Sequence, residues 1–127
     1  MKYLIDTDYA ISFLKGKKEA VEILTKYQNN LAMSVISLAE ILDGIYNQPE
    51  EKKRLIDLKD FLTGIDILKV DERVATAFAK IRSKLRAKRA LLESLDIIIA
   101  ATAMDQRLVL ITGNKKHFER IEGLKIL

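Results

Sequence analysis

Tyr3-Leu4-Ile5-Asp6-Thr7-Asp8, close to the start of the chain, sets the reading of the fold. Its apolar residues form an unbroken run rather than alternating with polar ones. Such a run reads as a strand buried on both faces, which belongs in a parallel sheet with helices on either side. Working outward, comparable runs recur at Leu31 to Ile36, Ile65 to Val70, Leu108 to Ile111 and Leu124 to Leu127. Helical patterns fill every gap except the last, and this alternation predicts the α/β class with a parallel sheet.

Caps and periodicity place the helices. Ala20, Val21, Ile23, Leu24 and Tyr27 form one face of a helix over Glu19 to Tyr27, and a second helix runs from Ser37 to Tyr46. Pro49 suits the first position of a third helix, carrying Leu55, Leu58 and Leu62, and Gly64 is placed to end it. Asp71 caps the next, whose stripe is Val74, Phe78, Ile81 and Leu85. The segment Leu95 to Met104 is apolar nearly all round and predicts a central helix. No repeat, linker or low-complexity tract divides residues 1–127, so a single domain is expected.

Composition narrows the chemistry. A hydrophobic share of 49% in 127 residues supplies one core. The absence of Cys excludes disulfides, a zinc ribbon and thiol catalysis, which leaves oxygen ligands or the single histidine, His117, for any metal. A net charge of +4 suits a polyanionic partner. With no apolar run of spanning length and no signal-peptide pattern, a soluble cytoplasmic protein is expected.

In open parallel sheets ligands bind beyond the carboxyl ends of the strands. The residues to inspect there are Asp6, Glu40, Asp96 and the Thr112-Gly113-Asn114 segment. Each has a bland alternative. Asp6 can be the N-cap of a helix from Thr7 towards Leu14, and Asp8 can share that cap or face solvent. Glu40 points away from the stripe of Leu38, Ile41, Leu42 and Ile45, so by itself it reads as solvated, although Ser37 and Gly44 beside it are small enough for a cleft. Asp96 is the most informative acid. It enters a helix that must be buried, where a carboxylate needs a counter-charge or a metal, and Ser94 already offers a cap. His117, in a polar loop after Lys115 and Lys116, reads as exposed. The basic series from Lys80 to Arg89, with Arg82, Arg86 and Arg89, joins Lys115 and Lys116 as candidate phosphate contacts. Flanking an apolar stripe is equally where surface cations sit.

Taken together, Leu4-Ile-Asp-Thr-Asp8, Ser37-Leu-Ala-Glu40, Asp96-Ile-Ile-Ile-Ala-Ala101 and Ile111-Thr-Gly-Asn-Lys-Lys-His-Phe118 resemble the PIN-domain nucleases in identity, order and spacing. Among these the chain looks like the VapC-type ribonuclease toxins. The resemblance implies a Rossmann-like three-layer sandwich with four to five central strands. It further implies that Asp6, Glu40 and Asp96 hold Mg²⁺ or Mn²⁺ for RNA hydrolysis, leaving a 5′-phosphate and a 3′-hydroxyl. Thr112 matches the family's hydroxyl position, and Asn114, Asp8 and His117 take supporting places. Asn114 and His117 stand where relatives can carry a carboxylate and supply none, so one firmly held metal is expected rather than two. A VapB-type antitoxin and a homodimer are the implied partners.

Three other readings compete. A phosphatase of the haloacid-dehalogenase kind would use Asp6 and Asp8, although Ala10 departs from that motif and no cap domain is evident. A response-regulator receiver would need Asp71 as phosphoacceptor, where Glu72-Arg73-Val74 looks like a helix start. The third is a non-catalytic PIN-like module that binds RNA or protein.

Overall fold

The computed structural model describes residues 1–127. Strand β1 (Tyr3–Ile5) is followed by α1 (Thr7–Leu14) and α2 (Lys18–Lys26), then β2 (Leu31–Ser34), α3 (Val35–Ile45) and α4 (Glu51–Leu62). Strand β3 (Asp66–Leu68), α5 (Glu72–Ala87), α6 (Ser94–Asp105), β4 (Val109–Ile111) and α7 (Lys115–Phe118) complete the chain. The sheet is wholly parallel in the order β3-β2-β1-β4, which puts β1 in the interior.

The unbroken apolar run of β1 is explained by its two-sided burial. Successive side chains point to opposite faces. Leu4 enters a core with Ala32, Val74, Ile81, Ile97 and Leu110, under α5 and α6. Tyr3 and Ile5 enter a second core with Met33, Ile41, Ile45, Leu58 and Ile111, under α1 to α4. The α/β class, the parallel sheet and the helices on both faces are as the sequence predicts. Helix α6 is central, with Ile97, Ile99, Ala100, Ala101 and Ala103 each fully buried.

Several boundaries differ from expectation. β2 stops at Ser34 and not at Ile36, because the Ser34 hydroxyl, 3.1 Å away, accepts from the Ile36 amide and starts α3 two residues earlier than the apolar run suggests. Pro49 lies in the turn before α4 rather than in its first turn, and Glu50, with φ of 61°, makes the entry. Ser94 is the first residue of α6 and makes no cap; Glu93 holds that position without a side-chain bond. The expected fifth strand reduces to one parallel bridge, Leu110 with Ile126. β3 is a short edge strand with Asp66 and Ile67 exposed. Gly64 closes α4 as expected, its φ of +81° being easy only for glycine, and Asp71 caps α5 by accepting from the Val74 amide at 3.0 Å.

Candidate active site

Asp6 sits where β1 leaves the sheet and α1 begins. Oδ1 accepts from the Thr7 amide at 2.9 Å, the expected N-cap bond, while Oδ2 accepts from the Thr112 hydroxyl at 2.8 Å. The structural alternative for Asp6, a helix N-cap, is therefore met, and its second oxygen is tied to Thr112. Thr112 follows β4, the strand beside β1, so sheet pairing alone brings together two residues 106 apart in sequence. Its hydroxyl also accepts from the Asn114 amide at 3.0 Å, which fixes the direction of its proton towards Asp6.

Only 4% of Asp6 is exposed, and burial is the main force on its charge. Its pKa is pushed up to about 6: burial raises it, the Thr112 hydrogen bond lowers it, and the negative charges of Asp8 and then Asp96 raise it again. A carboxylate held this way has few compensating donors, and no basic side chain contributes to its stabilisation.

Glu40 arrives from α3. Thr7 Oγ1 lies 2.8 Å from both Glu40 Oε1 and Ser37 Oγ. With one proton to give, the Thr7 hydroxyl donates to the carboxylate, the stronger acceptor, and accepts from Ser37. Glu40 is thus half-buried and oriented, not freely solvated. Thr7 and Ser37 are the site residues that sequence reasoning missed. Thr7 directly after Asp6 and Ser37 one helical turn before Glu40 were the available signal.

Asp96 occupies the first turn of α6, and its Oδ2 lies 2.8 Å from His117 Nε2. Here the expectation of an exposed histidine is overturned: α7 folds back so that the His117 ring packs edge-on to Phe118, 5.4 Å between centroids, and reaches the acid. Asp96 keeps 31% of its side chain exposed, so it is less enclosed than the buried helix predicts, and the imidazole is its hydrogen-bond partner. Asp8 is exposed and acts on Asp6 through its charge, and Asn114 is exposed with its backbone, not its side chain, engaged. Lys115 and Lys116 line a cavity of about 570 Å³ that opens beside Thr112. Arg82, Arg86 and Arg89 lie elsewhere, on and just beyond α5, and do not line it.

The acids gather as hydrogen-bonded pairs, Asp6 with Thr112, Glu40 with Thr7 and Asp96 with His117. No three acidic or histidine side chains form a ready-made metal cage. The donor set nonetheless fits a hard cation. Its atoms are carboxylate oxygens, Glu40 Oε2 and Asp96 Oδ1 take no part in these bonds, and the buried, uncompensated Asp6 gains most from a positive charge.

A family model for the PIN domain matches residues 3–124. The chain belongs to the PIN domain family. Ribonuclease VapC2 of Haemophilus influenzae is 30% identical over 98% of this chain and 96% of its own length. The tRNA(fMet)-specific endonuclease VapC of Shigella flexneri is 29% identical, again covering 98% of this chain and 96% of its own. Among solved structures, the DNA-bound VapBC complex of Salmonella typhimurium contains a chain that superposes with a TM-score of 0.93 at 27% identity, covering all of this chain and 97% of that one. The PIN reading made from four short motifs thus holds over nearly the whole chain.

Proposed function

We propose that this PIN domain is a metal-dependent endoribonuclease, the VapC-type toxin of a toxin–antitoxin pair. The observation that carries the reading is Asp6, a nearly sealed carboxylate raised by burial and by two neighbouring negative charges. The similarity to VapC ribonucleases supplies the substrate class, and one of those relatives is specific for a transfer RNA. Asp6, Glu40 and Asp96 would hold one Mg²⁺ or Mn²⁺, which when bound supplies a more acidic water and neutralises charge at the scissile phosphate. The chain's own residues do the positioning. Thr112 fixes one Asp6 oxygen, Thr7 fixes Glu40, and His117 donates to Asp96 and keeps that carboxylate turned to the site. The resemblance to the PIN-domain nucleases implies hydrolysis without a covalent enzyme intermediate, leaving a 5′-phosphate and a 3′-hydroxyl. A VapB-type antitoxin and a homodimer belong to the same reading, the first supported by the VapBC complex among the structural neighbours. No helix is long and apolar enough to cross a membrane, which accords with a cytoplasmic place of action.

The rivals fit less well. The phosphatase reading has no counterpart in the family match, which is to the PIN domain over residues 3–124. Asp71 is engaged as the α5 cap. The decisive experiment is cleavage of total RNA with Mg²⁺ present or chelated, comparing wild type with Asp6→Ala and Asp96→Asn. Cleavage should need the metal and vanish in both variants. Undiminished cleavage in either would refute the assignment.

A further inference from the structure

The cavity beside Thr112 is not accounted for by the acids. It runs along α1 from the Thr112 loop to the start of α2, and its volume of about 570 Å³ lies within the range of small-ligand sites. Lys17, Lys115 and Lys116 line it against one carboxylate, Glu19, so it is clearly positive. Tyr9 is the aromatic ring in its wall. Gly113 lies beside that ring, with Tyr9 Cδ2 4.0 Å from the place a Gly113 Cβ would take, and the ring is half-buried, one side packed on the second core and the other lining the cavity.

A second cavity, of about 410 Å³, flanks the site on the Glu40 side and is different in kind. Its cations Lys15, Lys53 and Arg54 are matched by Glu40, Glu50 and Asp57, and Lys53 already pairs with Asp57 at 3.0 Å. Of these two flanks, only the Thr112 side offers a polyanion net positive charge. α1 is eight residues, about 12 Å long. Lys17 thus stands well beyond the reach of the phosphate that would lie at Asp6, whereas Lys115 and Lys116 follow the Thr112 loop directly.

We propose that this cavity is the subsite for the single-stranded RNA next to the scissile bond, with Lys17, Lys115 and Lys116 on its phosphates and Tyr9 as the platform for one base. The inference rests on the nuclease reading and names the side of the site on which the strand is held. Phosphate contacts give salt-dependent affinity, and an aromatic face binds any base. Tyr9 touches no reacting atom and acts in affinity and register.

The test is fluorescence anisotropy with a labelled 12-nucleotide mixed-sequence RNA, on the full chain in an Asp96→Asn background that suppresses cutting. All three lysines are exposed, so Lys17→Gln/Lys115→Gln/Lys116→Gln should fold. It should weaken binding about tenfold or more and reduce the slope of log affinity against log salt by about two. Tyr9→Leu should weaken it about five- to tenfold and Tyr9→Phe should restore it. In the otherwise wild-type chain the triple variant should raise KM for RNA by a larger factor than it lowers kcat. Unchanged affinity and salt slope in the triple variant overturn the proposal, as does an acidic dodecapeptide that binds with the RNA's affinity and salt slope. If wild type binds RNA through these lysines and cuts none, the nuclease reading fails and the subsite stands. If it cuts RNA and the lysine variant binds normally, the reverse holds.

Discussion

Asp6 and Asp96 look alike in sequence, each a carboxylate at the entry to a helix, yet the fold treats them in opposite ways. Asp6 is sealed between β1, β4 and α1, and its compensation comes from a hydroxyl and one amide. Asp96 keeps 31% of its side chain exposed and has an imidazole as its partner. Burial without a counter-charge leaves Asp6 short of stabilisation at neutral pH, whereas Asp96 is open to solvent on one side and hydrogen-bonded on the other. The difference suggests a division of labour, with Asp6 as the residue whose need for a cation is built into the fold and Asp96 as one that is aimed.

Asp6→Asn should break the comparison most strongly. RNA cleavage should fall about a thousandfold or more, while the metal-free protein should become more stable at pH 7 by up to about 3 kcal/mol, following the shift from 3.8 to about 6. The sign follows from proton uptake. Because the folded state holds this proton more tightly than the unfolded chain, the contribution of Asp6 to stability is fully present below about 3.8 and is lost as pH rises through about 6. Urea melts at pH 4 and pH 7 check it: the variant's advantage should be confined to the higher pH. A less stable Asp6→Asn at pH 7 would show that the Asp6 bonds outweigh its burial.

Next in size is the other acid. Asp96→Asn should also abolish cleavage, but with little change in stability, since the group is not sealed. His117→Ala should reduce cleavage about ten- to a hundredfold and weaken Mg²⁺ binding, as loss of an orienting partner does, with His117→Gln partly restoring both. Isothermal titration with Mg²⁺ separates this from a folding defect. If His117→Ala leaves Mg²⁺ affinity unchanged, the bond to Asp96 is not orienting the carboxylate.

The smallest effect concerns Thr7, which ties Glu40 to the Asp6 side. Thr7→Val keeps the shape, removes the hydroxyl shared by Glu40 and Ser37, and should destabilise the protein by about 1 to 2 kcal/mol with the buried Ser37 left short of a partner. Cleavage should fall about tenfold or less, because Glu40 remains present and only its orientation is lost. Thermal melts and rate measurements on the same preparation check both parts.

Local chemistry accounts for what could be read without a structure. An unbroken Tyr3-Leu4-Ile5 run suits a strand buried on both faces of a parallel sheet, and the all-round apolar stretch after Asp96 suits a central helix, so the fold class was legible. The three acids stood out only through their joint register with the PIN-domain motifs, each alone having a structural alternative. Where a cap competes with an apolar run, at Ser34, hydrogen-bond geometry decided the boundary against the pattern. The fate of His117 was not legible, since a histidine in a polar loop carries no sign of the acid 21 residues earlier that it meets.

By itself, then, the sequence determined which residues are acidic, which strands are two-sided and where the helices must cover them, because side-chain polarity and period act within a few residues of chain. Only the tertiary structure decided which of those acids is sealed and which is open, which hydroxyl or imidazole faces each one, and on which flank the lysines collect. Burial and through-space charge depend on distances between segments far apart in sequence, and pairing of β1 with β4 is what brings Asp6 to Thr112 and sets those distances.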